Sequence, residues 1–311
     1  MNIANGLFAI VIPYTALAIF AFGFIYRIVV WARSPVPFHI PTVCGQQKSL
    51  PWIKHDRTES PSTTLRVVWR MALEVLVFRS LFRNDRAEIV AKEKVVYRGN
   101  RLLWLGGLVF HWSLLIILIR HLKLFFEPVP GSVTFLQNLD GLFQISTPTL
   151  LVTDALIVFS LCYLTLRRVF IPQTRYLSLF SDYFPLILLL GVVGSGILVR
   201  HFYRVDLLEI KRFCLGIISF NPTVPRDGGL MFYVHLFLVC ALLVYFPFSK
   251  LMHGGGLFLS PTRNLRNDSR ERRHINPWSY PVKVRTYDDW ENEFRDALKE
   301  AGLPLEPEKR G

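Results

Sequence analysis

Apolar residues in this chain gather into long, separate runs instead of the mixed pattern of a water-soluble core. Five stretches approach the twenty or so apolar residues that a membrane-crossing helix needs: 7–31, 102–126, 149–166, 183–199 and 228–248. The first carries no Lys or Arg in Met1–Asn5 and is longer than a signal-peptide core, so it reads as a retained anchor. Between the first two runs, Ser60-Pro61-Ser62-Thr63-Thr64 signals a helix start, and Leu65 to Phe82 follows with its apolar residues broken by Arg66, Arg70, Glu74, Arg79 and Arg83. Five charges forbid a sixth crossing. The segment predicts an amphipathic helix lying along the headgroup plane or against a partner subunit. From Ser269 onward the chain turns hydrophilic, with a short exposed amphipathic helix expected over Asp288 to Ala301.

The charges between the runs set a direction. Lys and Arg number 13 in 32–101, one in 122–148, three in 167–181, five in 200–227 and 12 in 250–311. The basic excess marks the first, third and fifth regions as cytoplasmic, which puts the N-terminus outside and the C-terminus inside. The expected architecture is an all-α integral membrane protein of five transmembrane helices. It divides into a first transmembrane helix (1–33), a cytoplasmic segment with an interfacial amphipathic helix (34–100), a four-helix membrane core (101–253) and a cytoplasmic docking tail (254–311).

Composition narrows the function. The chain is 51% hydrophobic and 19% charged, against about 25% charged in ordinary soluble domains, which speaks against a soluble enzyme and against a disordered chain. The formal net charge of +13 sits between the apolar runs, where it serves topology and lipid headgroups; no nucleic-acid partner is expected. Cys44, Cys162, Cys214 and Cys240 are scattered without a CxxC or CxxCH motif. This chain alone therefore builds neither an iron–sulfur cluster nor a covalently attached haem.

Four of the eight histidines lie in or beside two of the apolar runs: His111 and His121 in the second, His235 and His253 in and just beyond the fifth. Imidazole is expensive in hydrocarbon without a partner. Because the two passes run in opposite directions, His111 and His253 fall near the cytoplasmic side and His121 and His235 near the outer side. Ten and eighteen residues of helix correspond to about 15 Å and about 27 Å, so the two pairs lie at two depths, with Pro247 expected to kink the helix between its two histidines. Paired neutral imidazoles across a bundle are the natural axial ligands of a b-type haem, and two such haems are expected. Arg101, Lys250 and Arg263 near the inner pair, and Arg120 near the outer pair, are candidates for the haem propionates, against the alternative of snorkelling charges. Lys123, Asp140, Arg200 and His201 fall near the outer face, where a quinol site needs proton acceptors; Asp140 is expected in a loop there. His201 is also the runner-up ligand, whereas His39, His55 and His274 read as solvated surface. The competing class is a non-redox anchor or transporter whose histidines hydrogen-bond or relay protons.

Phe110-His111 to Arg120-His121, and His235 to Phe246-Pro247-Phe248-Ser249-Lys250-Leu251-Met252-His253, resemble the membrane cytochrome b (gamma) subunits of respiratory nitrate reductases. The flanks Pro37–Gln47, Phe78–Asn84, Leu259–Asn264 and Asn276–Pro281 extend the resemblance over nearly the whole chain to the DsrM family, the cytochrome b subunits of the DsrMKJOP complex linked to dissimilatory sulfite reductase. The resemblance implies a subunit of the cytoplasmic membrane of a prokaryote that binds two haems b and exchanges electrons with a quinone, menaquinone in many relatives. Its implied partners are a cytoplasmic DsrK-like iron–sulfur subunit resembling heterodisulfide reductase, a further membrane subunit, and outer iron–sulfur and multihaem cytochrome c subunits. The disulfide chemistry would then belong to a partner. A nitrate reductase gamma subunit is the alternative within the same superfamily.

Overall fold

A computed structural model describes residues 6–34, 56–83, 86–90, 94–141, 151–225, 228–267 and 285–306. Its helices are α1 (Ile12–Arg33, entered through a wide turn over Leu7–Val11), α2 (Thr64–Val77), α3 (Arg79–Arg83), α4 (Arg101–His121), α5 (Gly131–Gly141), α6 (Val152–Phe170), α7 (Pro172–Leu177), α8 (Phe180–Ile197), α9 (Leu207–Ile218), α10 (Gly229–Tyr245), α11 (His253–Gly256), α12 (Pro261–Asn264) and α13 (Tyr287–Glu300). His39, His55, His274, Cys44 and the flanking motifs over 37–47 and 276–281 lie outside the described residues.

Among the described residues, four helical stretches are long and apolar enough to cross a membrane: Phe8–Arg33, Arg101–Leu124, Phe180–Tyr203 and Gly229–Phe248. The fifth expected crossing does form a helix, α6 of 19 residues, but Asp154 near its start and Arg167 and Arg168 near its end make it less apolar than the other four. Helices pack in the order α1, α10, α8, α6, α4, so neighbours in space are not always neighbours in sequence. Phe110, Ile157, Leu161 and Leu189 knit α4, α6 and α8 together. At one end of the bundle, Ala9, Ile210, Phe213, Ile217 and Phe232 form a second core. Outward positions such as Phe22, Tyr26, Phe159, Ile187 and Phe237 are exposed and apolar, the pattern of a bundle whose solvent is hydrocarbon.

Three expectations need correction. The chain is helical but not purely α: Arg86–Val90 and Lys94–Arg98 pair antiparallel with Glu88 opposite Val96, because both stretches are rich in β-branched residues that favour a pleated strand. The continuous helix expected over Leu65 to Phe82 breaks at Phe78, whose φ of 50° closes α2 before α3 begins. The 200–227 connection is not a bare loop: it contains α9, started by Asp206 capping the Leu208 amide at 2.8 Å and folded onto the bundle end through Ile210, Phe213 and Ile217. In the tail, α13 matches its expected span within a residue at each end, fixed by reciprocal capping between Thr286 and Asp289.

Candidate haem-ligand pairs

His111 sits midway along α4, where Gly107 and Phe110 also face inward. Its Nδ1 lies 2.7 Å from the Gly107 carbonyl, one turn earlier; a carbonyl only accepts, so Nδ1 carries the proton. The ring of His253 stands 5.8 Å from that of His111 between centroids, at 86° between planes, and His253 Nδ1 donates to the Lys250 carbonyl at 2.8 Å. His253 does not reach this place on a kinked continuation of α10. That helix ends at Tyr245, and tighter turns over Phe246–Phe248 and Lys250–Met252 carry the chain onward, because Pro247 lacks the amide proton that would continue the ladder. Ser249 caps the restart by accepting from the Leu251 amide at 3.2 Å. Helix α1 braces the break: Arg27 Nε donates to the Pro247 carbonyl at 3.2 Å, and a methyl group on Gly23 would stand 2.8 Å from Pro247 Cβ.

The second pair repeats the chemistry by a different route. His121 ends α4 and donates Nδ1–H to the Ile117 carbonyl at 2.7 Å. His235, on α10, lies within electrostatic range of His121, and its Nδ1 is 3.0 Å from Ser195 Oγ on α8. Ser195 Oγ is in turn 3.0 Å from the Val192 carbonyl. The single hydroxyl proton is spent on that carbonyl, so the hydroxyl oxygen accepts and His235 Nδ1 donates. Gly196 clears the space: a Cβ there would meet His235 Cε1 at 3.0 Å.

All four imidazoles are thus fixed in one tautomer, with Nδ1–H turned to protein and the Nε2 lone pair free of hydrogen bonds among the described residues. An outer acceptor on the far nitrogen is how proteins orient and strengthen a metal-bound histidine. A metal bound by two imidazole nitrogens at about 2.0 Å each holds the ring centroids roughly 6 Å apart, close to the 5.8 Å of the His111–His253 pair. Among the described residues no three His, Cys, Asp or Glu side chains converge to hold a bare metal ion. A bis-imidazole haem needs only two protein ligands, so the residues present fit that group.

Residues 67–270 match the family model described as nitrate reductase gamma subunit. The chain belongs to that family. Two curated relatives are each named Hdr-like menaquinol oxidoreductase cytochrome b-like subunit. The one from Archaeoglobus fulgidus is 46% identical over 279 residues, covering 88% of this chain and 83% of that protein. The one from Archaeoglobus profundus is 40% identical over 285 residues, covering 88% and 84%.

In this gamma-subunit relative, the basic residues expected near the histidines are mostly committed to protein carboxylates. Arg120, only 4% exposed, pairs with Asp140, reaches Thr153 Oγ1 at 2.9 Å and lies 3.5 Å from Asp154. Lys250 pairs with Asp182 at 2.6 Å, and Arg263 pairs with Glu74 at 2.7 Å. Arg101, exposed at the start of α4, makes no such pair among the described residues.

The outer-face candidates do come together. Asp140 is the penultimate residue of α5 and not part of a loop; it accepts from the Thr153 amide at 3.0 Å and from Thr153 Oγ1 at 2.6 Å. His201 is buried with Nε2 3.0 Å from Asp154 Oδ2, so its tautomer is the reverse of the other four, with Nδ1 as the basic nitrogen. Arg200 lies within electrostatic range of Arg120, Asp140 and Asp154, while Lys123 Nζ donates to Gln137 Oε1 at 3.0 Å. The sequence reading missed Thr153, Asp154, Ser195, Gly196 and Arg27. Asp154 was visible as a lone acid at the head of an apolar run, and Ser195 as the one hydroxyl in Gly191–Gly196; Asp154 has meaning only once α6 is known to meet Arg120 and His201, and Ser195 only once α8 and α10 are known to be neighbours. The described cysteines are free, and burial pushes the Cys214 thiol up to about 12, which keeps it protonated and inert.

Proposed function

We propose that this chain is the electron-transfer subunit of a membrane oxidoreductase complex, binding one haem b between His111 and His253 and a second between His121 and His235. The observation that carries this reading is the common tautomer of four histidines in or just beyond two apolar spans, each donating Nδ1–H to protein and leaving Nε2 unbonded among the described residues. Iron held by two imidazoles supplies one-electron transfer without an open coordination position. We take α6 as the fifth crossing, its charges lying at its two ends, with the N-terminus outside and the C-terminus cytoplasmic. Arg101 remains the candidate for an inner propionate; Arg120, Lys250 and Arg263 would reach one only by sharing their carboxylate partners.

Menaquinone or menaquinol is the proposed exchangeable substrate, at the outer face near the His121–His235 pair; support comes from the buried Arg120–Asp140–Thr153–Asp154–His201 network with Arg200 and Lys123 at its edge. Giving up two electrons, a quinol also gives up two protons. His201 Nδ1 takes one, its orientation held by Asp154, which Arg120 also approaches, and the second passes to water at the outer face. On the cytoplasmic side, the 34–100 segment and the tail containing α13 are proposed to dock a DsrK-like, heterodisulfide-reductase-like iron–sulfur subunit in sulfate or sulfite respiration, with the further membrane subunit and the outer iron–sulfur and cytochrome c subunits completing the complex. Assembly with a nitrate reductase is the alternative, separated by the partner that co-purifies.

The test is purification in mild detergent with partner identification and haem extraction. About two non-covalent haems per chain, reducible by dithionite, and about one in His121→Ala are the expected results. A chain without haem bands, or His121→Ala retaining both haems, overturns the proposal.

A further inference from the structure

Helix α2 is amphipathic in the reverse sense to a helix bathed in water. Val67, Arg70 and Glu74 share one side and are buried, whereas Leu65, Val68, Trp69 and Leu76 share the opposite side and are exposed, Leu65 at 79% and Trp69 at 60%. Two of its three charges, Arg70 and Glu74, are turned inward onto other charges, and Arg66 is half-buried. Arg70 lies 3.4 Å from Glu59, which also pairs with Arg79. Glu74 accepts from the Ser80 amide at 3.1 Å and Ser80 Oγ at 2.6 Å, and pairs with Arg263 at 2.7 Å. Asn267 straps the cluster from behind, donating its amide to the Pro61 carbonyl at 2.7 Å and Nδ2 to Ser60 Oγ at 3.0 Å. A helix facing water puts its charges outward; this one puts its apolar side there.

The C-terminal end of α2 shows what covers that side. The last carbonyls of a helix have no partners within it, and in hydrocarbon no water supplies them. Here Trp112 Nε1 donates to the Leu76 carbonyl at 3.0 Å and Trp104 Nε1 to the Val77 carbonyl at 2.7 Å, both on the outer surface of the bundle. The indoles belong to α4, three and eleven residues beyond Arg101, or about 5 Å and 17 Å along that helix. The end of α2 therefore lies between about 5 Å and about 17 Å beyond the start of α4, within a hydrocarbon core of about 30 Å. Phe78 then turns the chain back: its ring packs 4.8 Å from His111, and Phe82 packs 5.0 Å from Trp104, nearer the start of α4. A Cβ on Gly99 would collide with the Phe82 carbonyl, so the chain leaves beside the end of α4 from which it entered.

We propose that α2 and α3 form a re-entrant hairpin sunk into the leaflet at the His111–His253 end, with Leu65, Val68, Trp69 and Leu76 facing lipid acyl chains. The proposal requires that α4 spans the bilayer and is independent of haem or quinone binding. Phe78, at the tip, shields the inner histidine pair from water.

The experiment places a nitroxide spin label at single cysteines replacing Leu65, Trp69 or Leu76, in the full chain with its native cysteines changed to serine, reconstituted in phosphatidylcholine–phosphatidylglycerol nanodiscs. Collision with oxygen, which partitions into lipid, is compared with collision with a water-soluble nickel chelate. The expected result is an oxygen-to-nickel ratio that rises from 65 to 76 and reaches about tenfold in favour of oxygen at 76. Collision dominated by nickel at 69 and 76 overturns the proposal in favour of an aqueous face. Exclusion of both agents overturns it in favour of a protein cover, from residues 35–55 or from a second subunit. Should the cysteine-free chain fail to fold, the emission difference between wild type and Trp69→Phe is measured instead: quenching of that component by brominated lipid supports the hairpin, and quenching by aqueous acrylamide alone overturns it.

Discussion

Ser195→Ala is a one-atom test of how the outer histidine pair is built. The hydroxyl accepts from His235 Nδ1 at 3.0 Å and hands its own proton to the Val192 carbonyl at 3.0 Å. Removing it leaves the imidazole to be held by the Val192 backbone alone, with which it also hydrogen-bonds. Losing an outer partner of a metal-bound histidine typically weakens the metal about 10–100-fold, and the hydrogen bond to Val192 that stays in place puts the expected loss toward the lower end of that range. Each tenfold corresponds to about 1.4 kcal/mol. Haem-depleted chain in nanodiscs would be titrated with haem in competition with a haem-scavenging apoprotein and followed by Soret absorbance. One of the two sites should weaken by about 10–100-fold in Ser195→Ala while the other is unchanged, and Ser195→Thr, which keeps the hydroxyl, should restore it. Titration of Ser195→Ala within about threefold of wild type would refute the tautomer argument, and equal weakening of both sites would show a general loss of fold.

Asp140→Ala strips the buried Arg120 guanidinium and both Thr153 donors of their shared acceptor, and breaking a buried pair of this kind costs about 3–5 kcal/mol; denaturant unfolding in detergent should show a loss of that size, with Asp140→Asn intermediate. Gly23→Leu drives a side chain into Pro247, 2.8 Å from where a Cβ would sit, so the inner haem should be lost before the outer one in reduced spectra. Burial raises the Asp56 carboxyl, but the Thr58 and Glu59 amides and the guanidinium groups of Arg83 and Arg79 outweigh it and hold the carboxyl below its usual range. A carboxyl lowered in the folded state stabilises above its unfolded value and ceases to do so as pH falls through the folded one. Proteolytic cleavage within 56–83 should therefore be flat from about pH 6 to 8 and rise below about pH 4, a rise that Asp56→Asn should blunt by being more susceptible throughout.

Hydropathy and histidine spacing made the long helices and the four imidazoles legible, because hydrocarbon demands uniform apolar runs and makes every exception conspicuous. Less legible were contacts between distant runs. No spacing rule pairs α1 with α10 or puts Ser195 beneath His235, since those neighbours are chosen by three-dimensional packing. Charges misled for the same reason: Arg120, Lys250 and Arg263 looked available for an acidic ligand until Asp140, Asp182 and Glu74 arrived from other helices. Pro247 marked a disturbance correctly, yet the helix stops there and does not bend, because Ser249 offers a cap that makes stopping cheaper. The inward-turned charges of α2 were present in the sequence as a periodic pattern, but which side faced the protein depended on Glu59, Ser80 and Arg263.

The packing of α1 against α10 joins segments about two hundred residues apart, and each proposed iron site draws one imidazole from α4 and one from beyond residue 228. Ribosomes add about 5–20 residues per second, so His111 waits roughly 7–28 seconds for His253 to be made. During that interval α4 can pack against α2 and α6 but holds only one imidazole of each proposed site. Under the proposed ligand pairing, cofactor insertion is an event of the finished chain, and a ribosome stalled before His235 would leave a fragment lacking one imidazole of each proposed pair.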